Sequence, residues 1–268
     1  MNNPAIPRPA SATAHAFGPN LTLHGWPYPL SLLARLGHPQ TRQPEIGILC
    51  RRLFEYLFDQ VASAELDAEV AEADTRMTAL HPGQRYHGPL LRRRQKVVVV
   101  DVARAGIVPA QIFYERFNEV LEPELVRQDH LFVSRTVGLT GEVTGAAVAA
   151  SKIGGPLTDA LLVVPDPMGA TGGSLKEAMT HYAKAAVGEP RRVVCVHLIV
   201  TPEYVRAVHA ANPEVRIHAI RLDRGFSTAE ALARLPGELP EGECGLDEHQ
   251  YIVPGAGGLG EVLNNAWV

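Results

Sequence analysis

The chain has 268 residues, 46% of them hydrophobic and 20% charged, with a formal net charge of -4. These proportions exclude a disordered chain and suit one large α/β domain or two small ones. The slight acidity excludes wholesale nucleic-acid binding and leaves room only for a local basic site. No apolar run approaches the ~20 residues of a membrane span, so no membrane partner is expected. Cys50, Cys195 and Cys244 are widely spaced and form no metal pattern. Free thiols in a reducing, cytoplasmic setting are therefore expected.

Residues 1–20 are rich in Pro, Ala and Asn and lack a basic-then-apolar signal pattern, so a flexible tail is expected there. Residues 21–268 are expected to form a single domain. Pro44 suits a first helical turn, and Ile46, Leu49, Leu53, Phe54, Leu57, Phe58 and Val61 recur at helical spacing. The helix predicted over 44–61 continues through 62–80 with more Ala, Glu and Asp. The basic run Arg92–Lys96 is either a solvated strand entry or a ligand contact. Residues 97–101 are apolar and β-branched, as in a strand buried on both faces of a parallel sheet. A helix is predicted over 108–120 and a strand over 131–135. Residues 137–155, rich in Gly, Thr and Ala, fit either a mobile loop or a hairpin. Strands follow at 161–164, 192–201 and 215–222, with helices at 171–187 and 202–211. Strands alternating with helices imply right-handed crossovers and a mostly parallel sheet flanked by helices.

The most informative stretch begins with the apolar strand at 161–164. It continues Asp166-Pro-Met-Gly-Ala-Thr171-Gly-Gly-Ser174. Asp166 falls at the carboxyl end of a parallel strand, the ligand edge of an open α/β sheet. Ala170, Thr171, Gly172, Gly173 and Ser174 put backbone N–H groups and hydroxyls at a helix N-terminus, a cradle for phosphate. An acid beside such a loop suits a ligand with both a phosphate and sugar hydroxyls; ordinary turn and cap chemistry is the other reading. After the strand at 97–101 comes Arg104-Ala-Gly106, which puts a guanidinium at the same edge. Its two parallel donors suit a diphosphate, while pairing with Asp101 or with a helix C-terminus is the alternative.

The segment 166–174 resembles the 5-phosphoribosyl-1-diphosphate (PRPP) motif of type I phosphoribosyltransferases, in the form typical of uracil phosphoribosyltransferases. That family usually carries a larger aliphatic residue at Gly169. Arg104-Ala-Gly106 is similar to its diphosphate loop, and Ser134-Arg135 to its Tyr-Arg pair, with Ser in place of Tyr. Gly245-Leu-Asp-Glu-His-Gln-Tyr251-Ile-Val-Pro-Gly255 resembles the family's Gly-Leu-Asn-Glu-His-Gly-Tyr-Ile-Val-Pro-Gly, which leads into its base-binding loop. The family continues Gly-Leu-Gly-Asp-Ala-Gly-Asp-Arg. Here Gly258 stands at the first Asp, which in the family lies close to the reacting base and ribose. Glu261 stands at the second Asp and Val262 at the Arg. Residues 226–243 look like an insertion holding a short helix (228–235) and a Pro-bounded turn.

The resemblance implies a type I phosphoribosyltransferase-like fold with a small hood from the N- and C-terminal segments. It implies transfer of the phosphoribosyl group of PRPP to uracil, giving UMP and diphosphate. Asp166 would bind ribose hydroxyls, residues 170–174 the 5′-phosphate, and Arg104 and Arg135 the diphosphate. Tyr251, Ile252, Gly257 and Gly258 would read the base, with Glu261 a further candidate. Lys152 is either the counterpart of a family Lys near the substrate flap or a solvated Lys. Mg²⁺, held mainly by PRPP oxygens, is the expected cofactor, and a homodimer the expected assembly. No residue stands out as a general base. A different acceptor, or a PRPP- or nucleotide-sensing protein without catalysis, are the other readings.

Overall fold

A computed structural model of the chain describes residues 11–137, 143–184 and 188–266. In chain order the elements are β1 (Leu21–Leu23), α1 (Pro27–Leu36), α2 (Glu45–Glu65), β2 (Ala68–Ala73), β3 (Tyr86–Leu91), β4 (Val97–Ala103), α3 (Ile107–Val120), β5 (Val126–Val137) and β6 (Val143–Lys152). There follow β7 (Leu161–Pro165), β8 (Met168–Gly169), α4 (Gly173–Lys184), β9 (Arg192–Val200), α5 (Pro202–Ala211), β10 (Arg216–Leu222), α6 (Ala229–Leu232) and α7 (Leu259–Val262). The main sheet runs β1-β10-β9-β7-β4-β5-β6, with β8 paired to β9. Every pairing in it is parallel except β5 with β6.

Burial on both faces explains the continuous apolar strands. Val97, Val99, Leu161, Val163, Val194 and Val196 turn toward α1, α2 and α3, where Phe54, Phe58, Phe113 and Phe117 pack edge to face. The intervening Val98, Val100, Leu162, Val164 and Cys195 face Leu175 and Tyr182 of α4 and Tyr204, Val205 and Val208 of α5. This is the alternation a pleated strand imposes. Among the described residues no helix is long and apolar enough to cross a membrane. The three cysteines are free thiols.

Two expectations change, and one left open is decided. The helix of α2 ends at Glu65 instead of continuing to residue 80, and 68–73 and 86–91 form an antiparallel hairpin. Glu65 is buried and locks the end of the helix: its carboxylate accepts from Arg192 (3.1 Å), Arg216 (2.6 Å) and His218 Nε2 (3.0 Å). Segment 137–155 resolves as a hairpin partner, because β6 runs antiparallel to β5. Residues 138–142 lie outside the described residues, as do 1–10. From Ser11 onward the expected tail lies against the body: Ala12 N–H donates to Leu23 O and Ala16 N–H to Pro236 O, both at 2.7 Å.

The expected insertion at 226–243 holds α6, with Thr228 accepting from Ala231 N–H as its N-cap, and a 3₁₀ turn at Pro240–Gly242. Arg224 pins it, donating to the buried Glu243 Oε1 (2.9 Å) and to Ala231 O (2.9 Å). The basic run before β4 pairs outward, Arg92 with Glu69 and Arg94 with Glu122.

At the β1–β10 edge His24 and His218 stack, with ring centroids 5.2 Å apart and His24 Nε2 2.9 Å from His218 Nδ1. Burial, and then the neighbouring His218, hold the His24 pKa down to about 3 from 6.5. The unfolded chain therefore binds a proton here below pH 6.5 that the folded chain refuses. Stability from this site is complete above pH 6.5 and is lost as pH falls from there toward 3. Burial alone would raise the Glu65 pKa, but His218, Arg216 and Arg192 bring it below 4.5, so its own loss begins lower. Urea unfolding between pH 7 and 4.5 should give a slope of up to ~1.4 kcal/mol per pH unit attributable to this one proton. The slope should flatten in His24→Asn; equal slopes for the two proteins would remove His24 as its cause.

Candidate functional site

Parallel pairing brings the carboxyl ends of β10, β9, β7, β4 and β5 to one edge, in that order. Asp223, Thr201, Asp166 and Arg104 follow the ends of β10, β9, β7 and β4 directly, and Ser134 and Arg135 lie among the last residues of β5. The expected site residues are thus gathered by topology from positions more than a hundred residues apart.

After β7, Asp166 N–H still donates to Val196 O of β9 (2.9 Å). Its carboxylate then turns back, with Oδ1 accepting from Met168 N–H (2.9 Å). The carbonyl of Asp166 accepts from His197 Nδ1 (2.7 Å), which makes Nδ1 the protonated nitrogen; Nε2 accordingly accepts from Tyr204 O–H (2.7 Å). Burial lowers the His197 pKa to about 4, so the ring is neutral and this tautomer is fixed. Burial raises Asp166 to about 6, opposed by the Met168 N–H and reinforced by the nearby Asp101 charge. Asp101 is itself buried. Its Oδ2 meets His130 Nδ1 at 2.9 Å, while Oδ1 is buried without a hydrogen-bond partner.

The small-residue loop follows. β8 lies along the end of β9, and Thr201 ties the two: its N–H donates to Gly169 O (3.1 Å) and its hydroxyl to Ala170 O (2.6 Å). Gly172 has φ +82°, and α4 begins at Gly173, whose N–H donates to Thr171 Oγ1 (3.3 Å); the opening N–H groups of a helix have no intrahelical acceptor. Thr171 and Ser174 are exposed there. Gly169 is required by its surroundings: an added Cβ would lie 2.9 Å from Val200 Cγ1 and 3.1 Å from the Tyr204 ring. Tyr204 thus fills the space that a larger aliphatic residue would need.

Arg104 is exposed, after a cis Ala103–Arg104 peptide, and donates to Ala266 O (3.2 Å) instead of pairing with Asp101. Gly106 closes the turn, since a Cβ there would lie 2.7 Å from Val102 O. Arg135 lies in β5 opposite Ala146; its side chain is outside what the structure describes. Lys152 is exposed and directly opposite His130, the partner of Asp101, which brings it beside the site.

The C-terminal loop covers the edge. Tyr251 is exposed, but Ile252 is buried in the core, so only its backbone can face a ligand. Two residues that sequence reasoning missed hold this loop. Arg221 forks onto the buried Asp223 (Nε–Oδ1 2.5 Å, Nη2–Oδ2 2.7 Å). Asp223 Oδ2 accepts Gly255 N–H (2.7 Å) and Arg221 Nη2 donates to Gly255 O (3.1 Å), gripping both polar groups of one peptide turn. The signal was an Arg-x-Asp pair at the end of a strand. The hood is completed by Gln43, which donates to Leu263 O (3.0 Å), and by the close approach of Gly37 to Ala256.

The family model for uracil phosphoribosyltransferase matches residues 29–238. The chain belongs to that family. Uracil phosphoribosyltransferases of Caldanaerobacter subterraneus subsp. tengcongensis and Saccharomyces cerevisiae are 35% and 34% identical over 112 and 110 residues, which is 42% and 41% of this chain and the same shares of theirs. The chain thus spans less than half the length of these relatives. That of Thermococcus gammatolerans is 25% identical over 198 residues, 73% of this chain and 71% of its own. A solved structure of an Aquifex aeolicus protein superposes with a TM-score of 0.66 at 21% identity, covering 92% of this chain and 99% of that one, a likeness of fold. The fold is the type I phosphoribosyltransferase-like class expected from the sequence, a mostly parallel sheet flanked by helices.

Placing the family's bulkier residue at 169 should be costly in this chain. Gly169→Val should lose ~1–3 kcal/mol of stability by overpacking against Val200 and Tyr204. Denaturant melts would check this, and Gly169→Val combined with Tyr204→Ala should recover part of the loss.

Proposed function

We propose that this protein transfers the phosphoribosyl group of PRPP to a pyrimidine base, uracil first among them, releasing diphosphate. The observation that carries this reading is one juxtaposition: a half-buried acid and a glycine-rich helix start after β7, beside an exposed Arg after β4. A phosphate on the N–H groups at 171–174 leaves a ribose against Asp166. A diphosphate at C1′ then extends toward Arg104, with Arg135 the second cationic candidate.

The chemistry asks for little covalent work. Diphosphate departs from C1′ as positive charge builds on the ribose, and the base nitrogen attacks from the opposite side, its N–H proton passing to solvent as the C–N bond forms. The residues hold both reactants in line and stabilise the leaving oxygens. The Asp166 carboxylate orients the ribose hydroxyls, and its negative charge lies near the developing cation. The residues also fit Mg²⁺ carried in on the substrate: Asp101 Oδ1 is buried without a partner, and Asp101 and Asp166 repel one another. Bound Mg²⁺ would neutralise diphosphate charge and relieve that repulsion. The C-terminal loop, gripped at Gly255, presents backbone groups at 251–258 to the base. A second reading, transfer to another acceptor, is favoured by one feature: position 258 has no side chain where the family pattern has an acid.

A homodimer in a cytoplasmic setting completes the proposal. No residue of β2 or β3 is buried, and Val70, Met77, Leu80, Tyr86 and Leu90 are exposed on or around that hairpin. Two strands alone are marginal in water, so a second copy covering them is the natural remedy. Light scattering should give twice the 29.0 kDa chain mass, and the chain mass alone would reject it.

Incubation with PRPP, Mg²⁺ and a panel of bases should yield UMP from uracil. Nucleotide from another base but not uracil would select the second reading, and PRPP binding without turnover on any base would favour a sensor. Asp166→Asn should weaken PRPP binding or turnover about tenfold or more, the scale of a charge-assisted hydrogen bond. Because ribose binding uses the ionised acid, wild-type PRPP affinity should fall as pH drops through about 6, more steeply than in Asp166→Asn. Unchanged constants in the variant would take Asp166 out of the site.

A further inference from the structure

The C-terminal turn that would present backbone groups to the base runs from Gly245 to Gly255. Arg221 and Asp223 grip its far end. Its near end is held by the first turn of α5: both oxygens of Glu203 accept Gly245 N–H, Oε1 at 2.9 Å and Oε2 at 3.1 Å. Gly245 O in turn accepts Val253 N–H (2.8 Å), and Gly225 N–H donates to Val253 O (2.9 Å). The turn closes on itself where Leu246 bridges Ile252. Gly245 is buried, and a Cβ there would lie 2.2 Å from the backbone oxygen of Asp223 and 3.1 Å from Thr201 Cβ. Its place is therefore set by backbone packing, with no movable side-chain end to give way.

Three residues further along α5, on the same face, Arg206 donates to Pro240 O (3.1 Å) and Glu243 O (3.2 Å). An acid takes the N–H and a base takes the carbonyls, so α5 receives the chain as it returns from segment 226–243. The same helix start fixes the phosphate loop. Thr201 caps α5 by accepting Tyr204 N–H (3.0 Å), while its own N–H and hydroxyl hold Gly169 O and Ala170 O. Only Pro202 separates Thr201 from Glu203. One helix start thus carries both the loop proposed for the 5′-phosphate and the turn proposed for the base.

We infer that Glu203 is a positioning residue for the acceptor base. It belongs to neither surface proposed to touch substrate, and it sets the base turn at a fixed distance from the phosphate loop through the α5 cap that the two share. This rests on the phosphoribosyl transfer proposed above. Without the carboxylate the buried Gly245 N–H loses its acceptor, which is costly enough to move the turn. The phosphate loop, held by Thr201, stays in place.

The test compares wild type, Glu203→Ala, Glu203→Gln and Thr201→Val. It measures PRPP binding, KM and kcat for the preferred base, and amide hydrogen exchange across 245–255 and 168–175. Glu203→Ala should raise the base KM about tenfold or more, the scale of a hydrogen bond to a charged group, and leave PRPP affinity within about twofold. Exchange should quicken across 245–255 and hold across 168–175. Glu203→Gln keeps an acceptor oxygen and should recover most of the loss. Thr201→Val, which loosens the shared cap, should weaken PRPP binding as well as raise the base KM. An unchanged base KM in Glu203→Ala, or an equal loss of PRPP affinity in that variant, overturns the inference while the proposed function stands. Wild type that makes no nucleotide from any base overturns the proposed function, and exchange across 245–255 then decides alone: faster in Glu203→Ala keeps the anchoring role, unchanged rejects it. Slow exchange in β4, β7 and β9 reports that a variant has folded. If Glu203→Ala does not fold, Glu203→Asp, which withdraws the carboxylate by one methylene, should show the same split between base KM and PRPP affinity, and its absence counts against the inference in the same way.

Discussion

The hydrogen bond from His197 Nδ1 to the carbonyl of Asp166 sets the point at which the chain leaves the sheet, and the candidate site is arranged around that departure. The bond needs a proton on Nδ1. Burial keeps the imidazole neutral, with a single ring proton, and the Tyr204 hydroxyl, donating to Nε2, leaves that proton on Nδ1. Tyr204 is in turn oriented by α5, whose N-cap is Thr201, and Thr201 also bonds Gly169 and Ala170. One buried network therefore fixes the acid, the loop after it and the helix packed behind both. Gly169 follows as a steric consequence of the Tyr204 ring.

Electrostatics at the same edge are unbalanced in a way that favours a charged visitor. Asp101 and Asp166 are close enough to disfavour joint ionisation, and one oxygen of Asp101 has no donor. Just past the end of β4, Arg104 is exposed and, among the described residues, bonded only to a carbonyl. The acids alone would repel phosphate, and the Arg alone would bind any anion. Together they suit a ligand whose phosphates, hydroxyls and bound cation are held in fixed order, as in the proposed substrate. The grip of Arg221 and Asp223 on Gly255 adds rigidity to the loop above, so the acceptor would meet a preformed surface.

Much of this was legible in the chain. Strands buried on both faces announce themselves as β-branched runs, and β4, β7 and β9 begin and end within a few residues of expectation. Pro202 and Thr201 mark α5 through ordinary cap chemistry. The hairpin of β2 and β3 was not legible, because its Ala- and Glu-rich first strand has neither apolar alternation nor a buried face. The end of α2 depends on Arg192, Arg216 and His218, which lie more than 120 residues away in sequence. Packing takes the Ile252 side chain into the core, which leaves its backbone for the base-reading role expected of it.

By itself the sequence determined the buried strands β4, β7, β9 and β10 with the helices between them, the acid and glycines after β7, and the Arg after β4, because these follow from local pattern, side-chain chemistry and the handedness of crossovers. Tertiary structure alone decided which carboxylates are lonely and which are paired. Asp101 becomes a buried neighbour of Asp166, Asp223 becomes the anchor of Gly255, and Glu261 comes to occupy the space of Gly258. Such pairings depend on desolvation and on separations of a few ångströms between segments distant in the chain, and no local pattern encodes either.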